Sequence, residues 1–343
     1  MSHIAAQTRH AVHRLAQRFR RHERLQKERA DFQRLCAAHG IRPSWRNFLD
    51  AKEQTGCSVR EYFLFRFHER PAAVRETFMT TAQRDAFVTC IGDDLSRNTS
   101  APGNKILFNM LFAPYLGREW LNPTAASPEE FAAFVKRHGR VMVKPAGDGQ
   151  GKGIFVYAYE SDEAAKALHE ALADKAMLVE QMPAQHPQLD RLNPNCLNTV
   201  RFTTYTDRDA AHILMATLRS ATDESAVDNF HAGGIAMAVD LDTGRVVSDG
   251  VDEEGRRFSA HPHTHVPLHG FQLPNWREAL SVVRRASREM YHLPRCRFLG
   301  WDIAFLQGSQ IAVIECNWQQ GMQTQAPHER GFRLALKALD KRR

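Results

Sequence analysis

The chain has 343 residues, 43% hydrophobic and 25% charged, with a formal net charge of +7 and six cysteines. That length buries a substantial core, as one compound domain or two to three small ones, and no apolar run approaches the ~20 residues of a membrane span. The cysteines lack C-x-x-C spacing, which gives no support to a zinc finger and predicts reduced thiols in a cytoplasmic protein.

Residues 1–40 hold nine Arg or Lys against three acids, so most of the positive excess sits in the first helix and the remainder is nearly neutral. The charge therefore does not mark a nucleic-acid partner, and the segment has no apolar core followed by a cleavage site. Leu15, Phe19, Leu25, Phe32 and Leu35 give it a loose apolar stripe. It either docks on the domain, makes weak peripheral contact with an acidic membrane, or presents a solvated basic face. Residues 1–100 read as helical, with turns at "HGIRPSW" and "NTSAPG". After Pro102-Gly103, Ile106, Leu107, Met110 and Leu111 repeat at helical spacing. Ser127, Pro128 and Glu130 form a capping box that opens a helix ended by Gly139. Strand 140–145, a glycine-rich loop, strand 154–158, helix 161–174 and strand 177–182 then predict a β-β-α-β module. From 198 onward the pattern is mostly β, with a helix over 275–291 and a last one over about 328–341. This is an α+β chain with antiparallel pairs, divided as 1–100, 101–182 and 183–343.

The loop in "VMVKPAGDGQGKGIFVY" matches neither G-x-x-x-x-G-K-[ST] nor G-x-G-x-x-G. It joins two strands, and Gly149, Gly151 and Gly153 leave backbone N–H groups bare to close over an anion, with Lys152 adding charge. An ordinary flexible turn is the alternative. Lys144 ends an apolar strand and Lys105 opens a helix, so the pair either neutralises nucleotide phosphates or is solvated. Glu180 lies where the chain passes between lobes, a place suited to a ribose and an adenine edge. Glu315 and Asn317 share a strand face, and pairing with the preceding strand brings Asp302 beside them: three hard oxygen donors suited to Mg²⁺, or a structural hydrogen-bond cluster. Volume-conserving loss of charge at Asp302 or Glu315 is expected to abolish turnover of a bound nucleotide and leave folding nearly intact. Arg201 and Arg219 interrupt apolar strands and either pair internally or face an anionic ligand, near Asn229 and the Gly233-Gly234 step. The histidines at 261, 263, 265 and 269 alternate as zinc ligands can, but Pro262 and Pro267 argue for an irregular loop.

Taken in order, "NK" at 104–105, "VMVKPAGDGQGKGI" at 141–154, "LVEQ" at 178–181, "NTVRF" at 198–202, "NFHAGG" at 229–234 and "D…IECN" at 302 and 314–317 resemble the ATP-grasp superfamily. The likeness is greatest to its sugar-transfer-associated branch, with similarity also to alpha-L-glutamate ligase-related proteins. The resemblance implies an ATP-grasp fold, two α+β lobes clasping ATP, with a helical N-terminal region. It implies that the glycine loop covers the β- and γ-phosphates, that Lys105 and Lys144 contact phosphates, and that Glu180 meets adenine and ribose. Asp302, Glu315 and Asn317 would hold Mg²⁺ or Mn²⁺, while Arg201, Arg219 and Asn229 would face the transferred phosphate or the acceptor. The implied activity is a carboxylate–amine ligase working through an acyl phosphate, on a carboxylate acceptor that is saccharide-linked or belongs to a peptide or cell-surface polymer. A kinase acting on a hydroxyl acceptor and a non-catalytic nucleotide-binding protein are the alternatives. One departure stands out: where many such ligases follow the metal-binding Asn with Pro-Gly, this chain has Gln320 before Gly321.

Overall fold

The computed structural model describes residues 2–92, 101–147, 153–222, 233–292 and 296–340, without the side chains of 2–19 and 21. Five helices come first: α1 (Ser2–His39), α2 (Trp45–Thr55), α3 (Val59–Leu64), α4 (Ala72–Arg75) and α5 (Thr81–Ile91). Ser44, Ser58 and Thr80 cap the N-termini of α2, α3 and α5 through side-chain oxygens, and Gly56 and Gly92 end α2 and α5 in the left-handed conformation. Phe32 of α1 packs against Trp45, Phe48, Tyr62 and Phe63, which gives these short helices a common aromatic core. The membrane contact expected of α1 rests on side chains that lie largely outside the described residues.

α6 (Lys105–Leu111) is capped by Asn104, whose side chain accepts from the N–H groups of Ile106 and Leu107. The expected apolar stripe is displaced: Met110 and Leu111 are 64% and 41% exposed, whereas Phe108 and Asn109 are buried. Phe108 stacks on Phe112, which meets Trp301, and Asn109 reaches Glu180, so tertiary contacts override the spacing.

The β-β-α-β module follows as expected. Strand β1 (Trp120–Leu121), α7 (Pro128–His138), β2 (Arg140–Pro145), β3 (Phe155–Ala158), α8 (Asp162–Leu172) and β4 (Met177–Gln181) make an antiparallel sheet in the order β1-β4-β2-β3. The Ser127–Glu130 capping box is present, and Gly139 ends α7. Alternation sends Val141, Val143 and Val179 into a core with Phe131, Phe134 and Val135 of α7, and leaves Met142, Lys144 and Glu180 on the opposite face.

The larger sheet takes α9 (Pro187–Asp190), β5 (Thr199–Thr206), β6 (Ala211–Ser220), β7 (Ile235–Val239), β8 (Gly250–Val251), β9 (Arg257–Phe258), α10 (Trp276–His292), β10 (Phe298–Phe305), β11 (Ile311–Asn317) and α11 (Arg333–Asp340). Its order is β11-β10-β5-β6-β7-β8-β9, with every pair antiparallel. One face buries Phe202, Leu218, Met237, Trp301 and Val313 beneath Trp276, Val283 and Met290 of α10. The other face is divided. Tyr205, Met215 and Phe298 at one end are covered by the N-terminal helices and by Met322, Phe332 and Leu336, while the polar end carries the candidate site.

The last helix begins at Arg333 rather than 328 because the preceding backbone is tied elsewhere. Gly331 and Arg333 donate their N–H groups to Thr77 at 2.9 and 2.7 Å, and Arg70 donates to the carbonyl of His328 at 3.0 Å. His328 itself is largely enclosed. Its Nε2–H donates to Thr217 Oγ1 at 2.9 Å, and that hydroxyl donates to Thr324 O at 3.0 Å. Burial pushes the imidazole down to about 3. The folded value lies below the unfolded one, so the stabilisation is complete above about pH 6.5 and is lost as pH falls from there towards 3. His328 should contribute about 2 kcal/mol of lost stability by pH 4, after discounting for the exposed edge of the ring. Urea melts of His328→Gln should show a correspondingly flatter acid dependence, and an unchanged slope would exclude His328 as its source.

Candidate active site

On the small sheet, β2 and β4 pair so that Lys144 lies diagonal to Glu180. Lys144 Nζ donates to Glu180 Oε2 at 2.5 Å, while Arg118 Nη2 and Asn109 Nδ2 donate to Oε1 at 2.7 and 3.0 Å. Glu180 is 2% exposed. Burial alone would raise its pKa, but Arg118 and Lys144 outweigh that and hold the carboxyl far below the usual carboxylate range. Both carboxylate oxygens are thus engaged, Oε2 by Lys144 and Oε1 by Arg118 and Asn109. Lys105, at the start of α6, donates from Nζ to Pro145 O at 3.2 Å and from its backbone to Ala146 O at 2.9 Å, so both lysines meet where β2 runs into the glycine loop.

On the large sheet the polar face is set by register. Arg201 lies opposite Asp302 on one side and Thr217 on the other, and Asp302 lies opposite Glu315. A bulge at Ile314 resets the alternation of β11: Val313 and Cys316 both point into the α10 core, and Glu315 and Asn317 come to the polar face. Arg201 grips Asp302 with two donors, Nε to Oδ1 and Nη2 to Oδ2 at 2.8 Å, and Arg219 Nη2 approaches Oδ2 at 3.1 Å. Arg219 also donates to Thr199 Oγ1 at 2.6 Å. Burial opposes ionisation of Asp302, yet the two guanidiniums hold it well below the usual range. Glu315 moves the other way: burial and the neighbouring Asp302 charge raise its pKa. Asn317 Nδ2 donates to Glu315 Oε1 at 3.0 Å.

Two carboxylates and an amide on adjacent strands are a hard-oxygen donor set, with Asp302 shared between that set and the two guanidiniums. The set fits Mg²⁺. Among the described residues no cluster of three His, Cys, Asp or Glu could hold a metal, so the amide of Asn317 is needed as third donor. The expectation that Asp302→Asn leaves folding intact is corrected. That change strips the counter-charge from two largely buried guanidiniums, a loss on the order of 3–5 kcal/mol. In the His261–His269 loop the first histidine is held by its own hydrogen bonds. His261 is buried, its Nε2–H donates to Ala221 O at 2.8 Å, and its Nδ1 accepts from the N–H groups of His263 and Thr264.

Gly149, Gly151, Lys152 and Asn229 lie outside the described residues. Gly153 is described, with a left-handed φ of 71° in the turn that precedes β3. The residue that sequence reasoning missed is Arg118. It donates to Leu116 O and Val313 O at 2.9 Å each, to Ile314 O at 3.1 Å and to Glu180, so one guanidinium ties the Lys144–Glu180 pair to the strand that carries Glu315. Gly117 makes this possible: its φ is +61°, and a Cβ there would sit 2.9 Å from that of Ala312. The only sequence signal for it was a lone Gly-Arg step with no spacing to a partner.

A sequence model of a protein family described as sugar-transfer associated ATP-grasp matches residues 122–341. No curated protein matches the chain. Among solved structures it is similar to D-alanyl-alanine synthetase A from Vibrio cholerae O1 biovar eltor, at 12% identity over 70% of this chain and 65% of that one, with a TM-score of 0.43. It is similar to D-cycloserine synthetase DcsG at 13% identity over 71% and 70% (TM-score 0.45). The D-alanine–D-alanine ligase from Bacillus anthracis complexed with ATP matches at 15% identity over 71% and 61% (TM-score 0.38). The chain spans less than two thirds of the first and third of these.

Proposed function

The chain belongs to the sugar-transfer associated ATP-grasp family, and from that premise we propose that it is an ATP- and Mg²⁺-dependent ligase that joins a carboxylate to an amine or other nucleophile through an acyl phosphate. The observation that supports this reading is the Arg118 link, which ties the lysine-bearing sheet to the strand that carries Glu315 and Asn317. Lys105 and Lys144 bind and orient the phosphates, and Glu180 holds Lys144 in place for them. Asp302, Glu315 and Asn317 would hold the cation, which when bound would neutralise charge developing on the transferred phosphoryl group. Arg201 and Arg219 exchange part of their hold on Asp302 for the phosphoryl oxygens, so their donors are aimed before the substrate arrives. The division at residues 100 and 182, a cytoplasmic location and a saccharide-linked or polymer-linked acceptor belong to the same reading.

The test follows the phosphate. Purified protein with Mg²⁺, ATP, ¹⁸O-labelled carboxylates, uronic acids among them, and hydroxylamine as the attacking amine should release ADP, a hydroxamate and inorganic phosphate that has gained ¹⁸O from the carboxylate. A stable phosphorylated acceptor would replace the ligase by a kinase, and AMP with pyrophosphate would exclude both.

A further inference from the structure

Helix α1 is docked on the fold only from Glu28 onward. Glu28 pairs with Lys52, Phe32 packs among Trp45, Phe48, Tyr62 and Phe63, and His39 stacks on Phe63. Just before Glu28 the surroundings change. Arg20 and residues 22–27 are all exposed, Leu25 at 42% among them, so two successive turns are open to solvent in every direction around the axis. The backbone nevertheless continues as helix to Ser2, and Ser2–Lys27 spans about 39 Å. Helices in proteins draw most of their stability from burying an apolar face, and a stretch of this length needs one.

The residue order supplies it. Ile4, Thr8, Ala11, Val12, Leu15 and Phe19 recur at helical spacing and share one stripe, whereas Glu28, Phe32, Leu35, Cys36 and His39 mark the docked one. With 3.6 residues per turn the two stripes lie roughly a third of a turn apart. Continued toward the N-terminus, the docked stripe runs into Arg21, Arg18 and Arg14. The apolar stripe is therefore no prolongation of the docking face and serves a different surface. Charge identifies that surface: residues 1–27 hold seven Arg or Lys against Glu23 alone.

We propose that the N-terminal half of α1 lies along an anionic lipid bilayer, with the stripe from Ile4 to Phe19 as its inserted edge and the arginines among the headgroup phosphates. A nucleic acid would satisfy the arginines and leave the apolar stripe without a use, and a second copy of the chain would set like charge against like. The proposal concerns where the chain works, not what it joins, and stands independently of the ligase reading.

The experiment is co-sedimentation of the full chain with vesicles of phosphatidylcholine, alone or mixed with phosphatidylserine. It is run at about 0.1 M and about 1 M NaCl, between which the screening length falls from about 10 to about 3 Å. The chain should pellet with the serine-containing vesicles at low salt, need at least tenfold more lipid at high salt, and stay in solution with phosphatidylcholine alone. Leu15→Gln combined with Phe19→Gln keeps every charge and should need at least tenfold more lipid for half-binding. Arg14→Gln combined with Arg18→Gln and Arg21→Gln keeps the stripe and should weaken binding by a similar factor. The two variants read the stripe and the charge separately, so the proposal stays testable if one of them does not fold. It is overturned by equal binding to both vesicle types, by binding to neither, or by a stripe variant that binds as wild type does. Binding to a DNA duplex but not to the anionic vesicles would assign the helix to nucleic acid instead.

Discussion

Glu315→Gln should lower ATP turnover by on the order of 10³-fold or more while changing stability by less than about 1 kcal/mol. The two halves of that expectation have separate causes. Glu315 sits beside Asp302, and burial together with that charge already raises its pKa, so a neutral side chain of nearly equal volume suits the metal-free fold. Asn317 can still donate to the amide oxygen of the new glutamine, as it does to Glu315 Oε1 at 3.0 Å. What is lost is the anionic oxygen needed to hold a hard divalent cation. Steady-state ADP release and urea unfolding, measured on the same preparation, check both halves. Full turnover in the variant would remove Glu315 from the metal site; a large loss of stability would show that the carboxylate is charged in the resting protein. The sign of the raised pKa adds a further consequence. An acid whose folded pKa exceeds its unfolded value stabilises the fold most below the unfolded pKa, and that stabilisation is lost as pH rises through the folded one. The variant should therefore gain slightly on wild type as pH rises, in the absence of metal.

Arg118→Met should destabilise the protein by about 3–5 kcal/mol, more than loss of any ion pair on its surface. The Arg118 and Glu180 side chains are 2% and 3% exposed, so neither charge can turn to water for compensation. Methionine fills much of the volume but leaves the carbonyls of Leu116, Val313 and Ile314 without their donor, and leaves Glu180 to Lys144 and Asn109 alone. Adding Glu180→Gln should restore part of the loss, because it removes the unpaired charge that the first change creates. Chemical unfolding of the two single variants and the double variant measures the coupling. A coupling near zero would show that Arg118 acts through packing and not through Glu180. Because the same guanidinium spans the two sheets, the KM for ATP should also rise where the double variant still folds.

The elements that could be read locally were legible. The Ser127–Glu130 box and Gly139 fixed both ends of α7, and the alternation in "VMVKP" separated the core valines from Met142 and Lys144, because caps and strand period are written within a few residues. The oxygen donors at 302, 315 and 317 were likewise readable as neighbours, since period 2 and a short hairpin constrain where they can go. Other features were not. Whether Arg201 and Arg219 paired internally or stood open was undecidable until Asp302 was seen between them, because an arginine in an apolar strand satisfies either pattern equally well.

The sequence by itself determined the α+β class, the β-β-α-β module, the family motifs in their order, and the residue types at the site, all of which depend on spacing along the chain. Only the tertiary structure decided that Glu180 anchors Lys144, that a bulge at Ile314 turns Glu315 to the polar face, and that the N-terminal helices cover the far end of that same face. It alone revealed Arg118 and the contact of Arg84 with the carbonyl of Gln320. Their partners lie 62, 196 and 236 positions away. At such separations the pairing is selected by desolvation and geometry in the folded core, and no local period or cap records it.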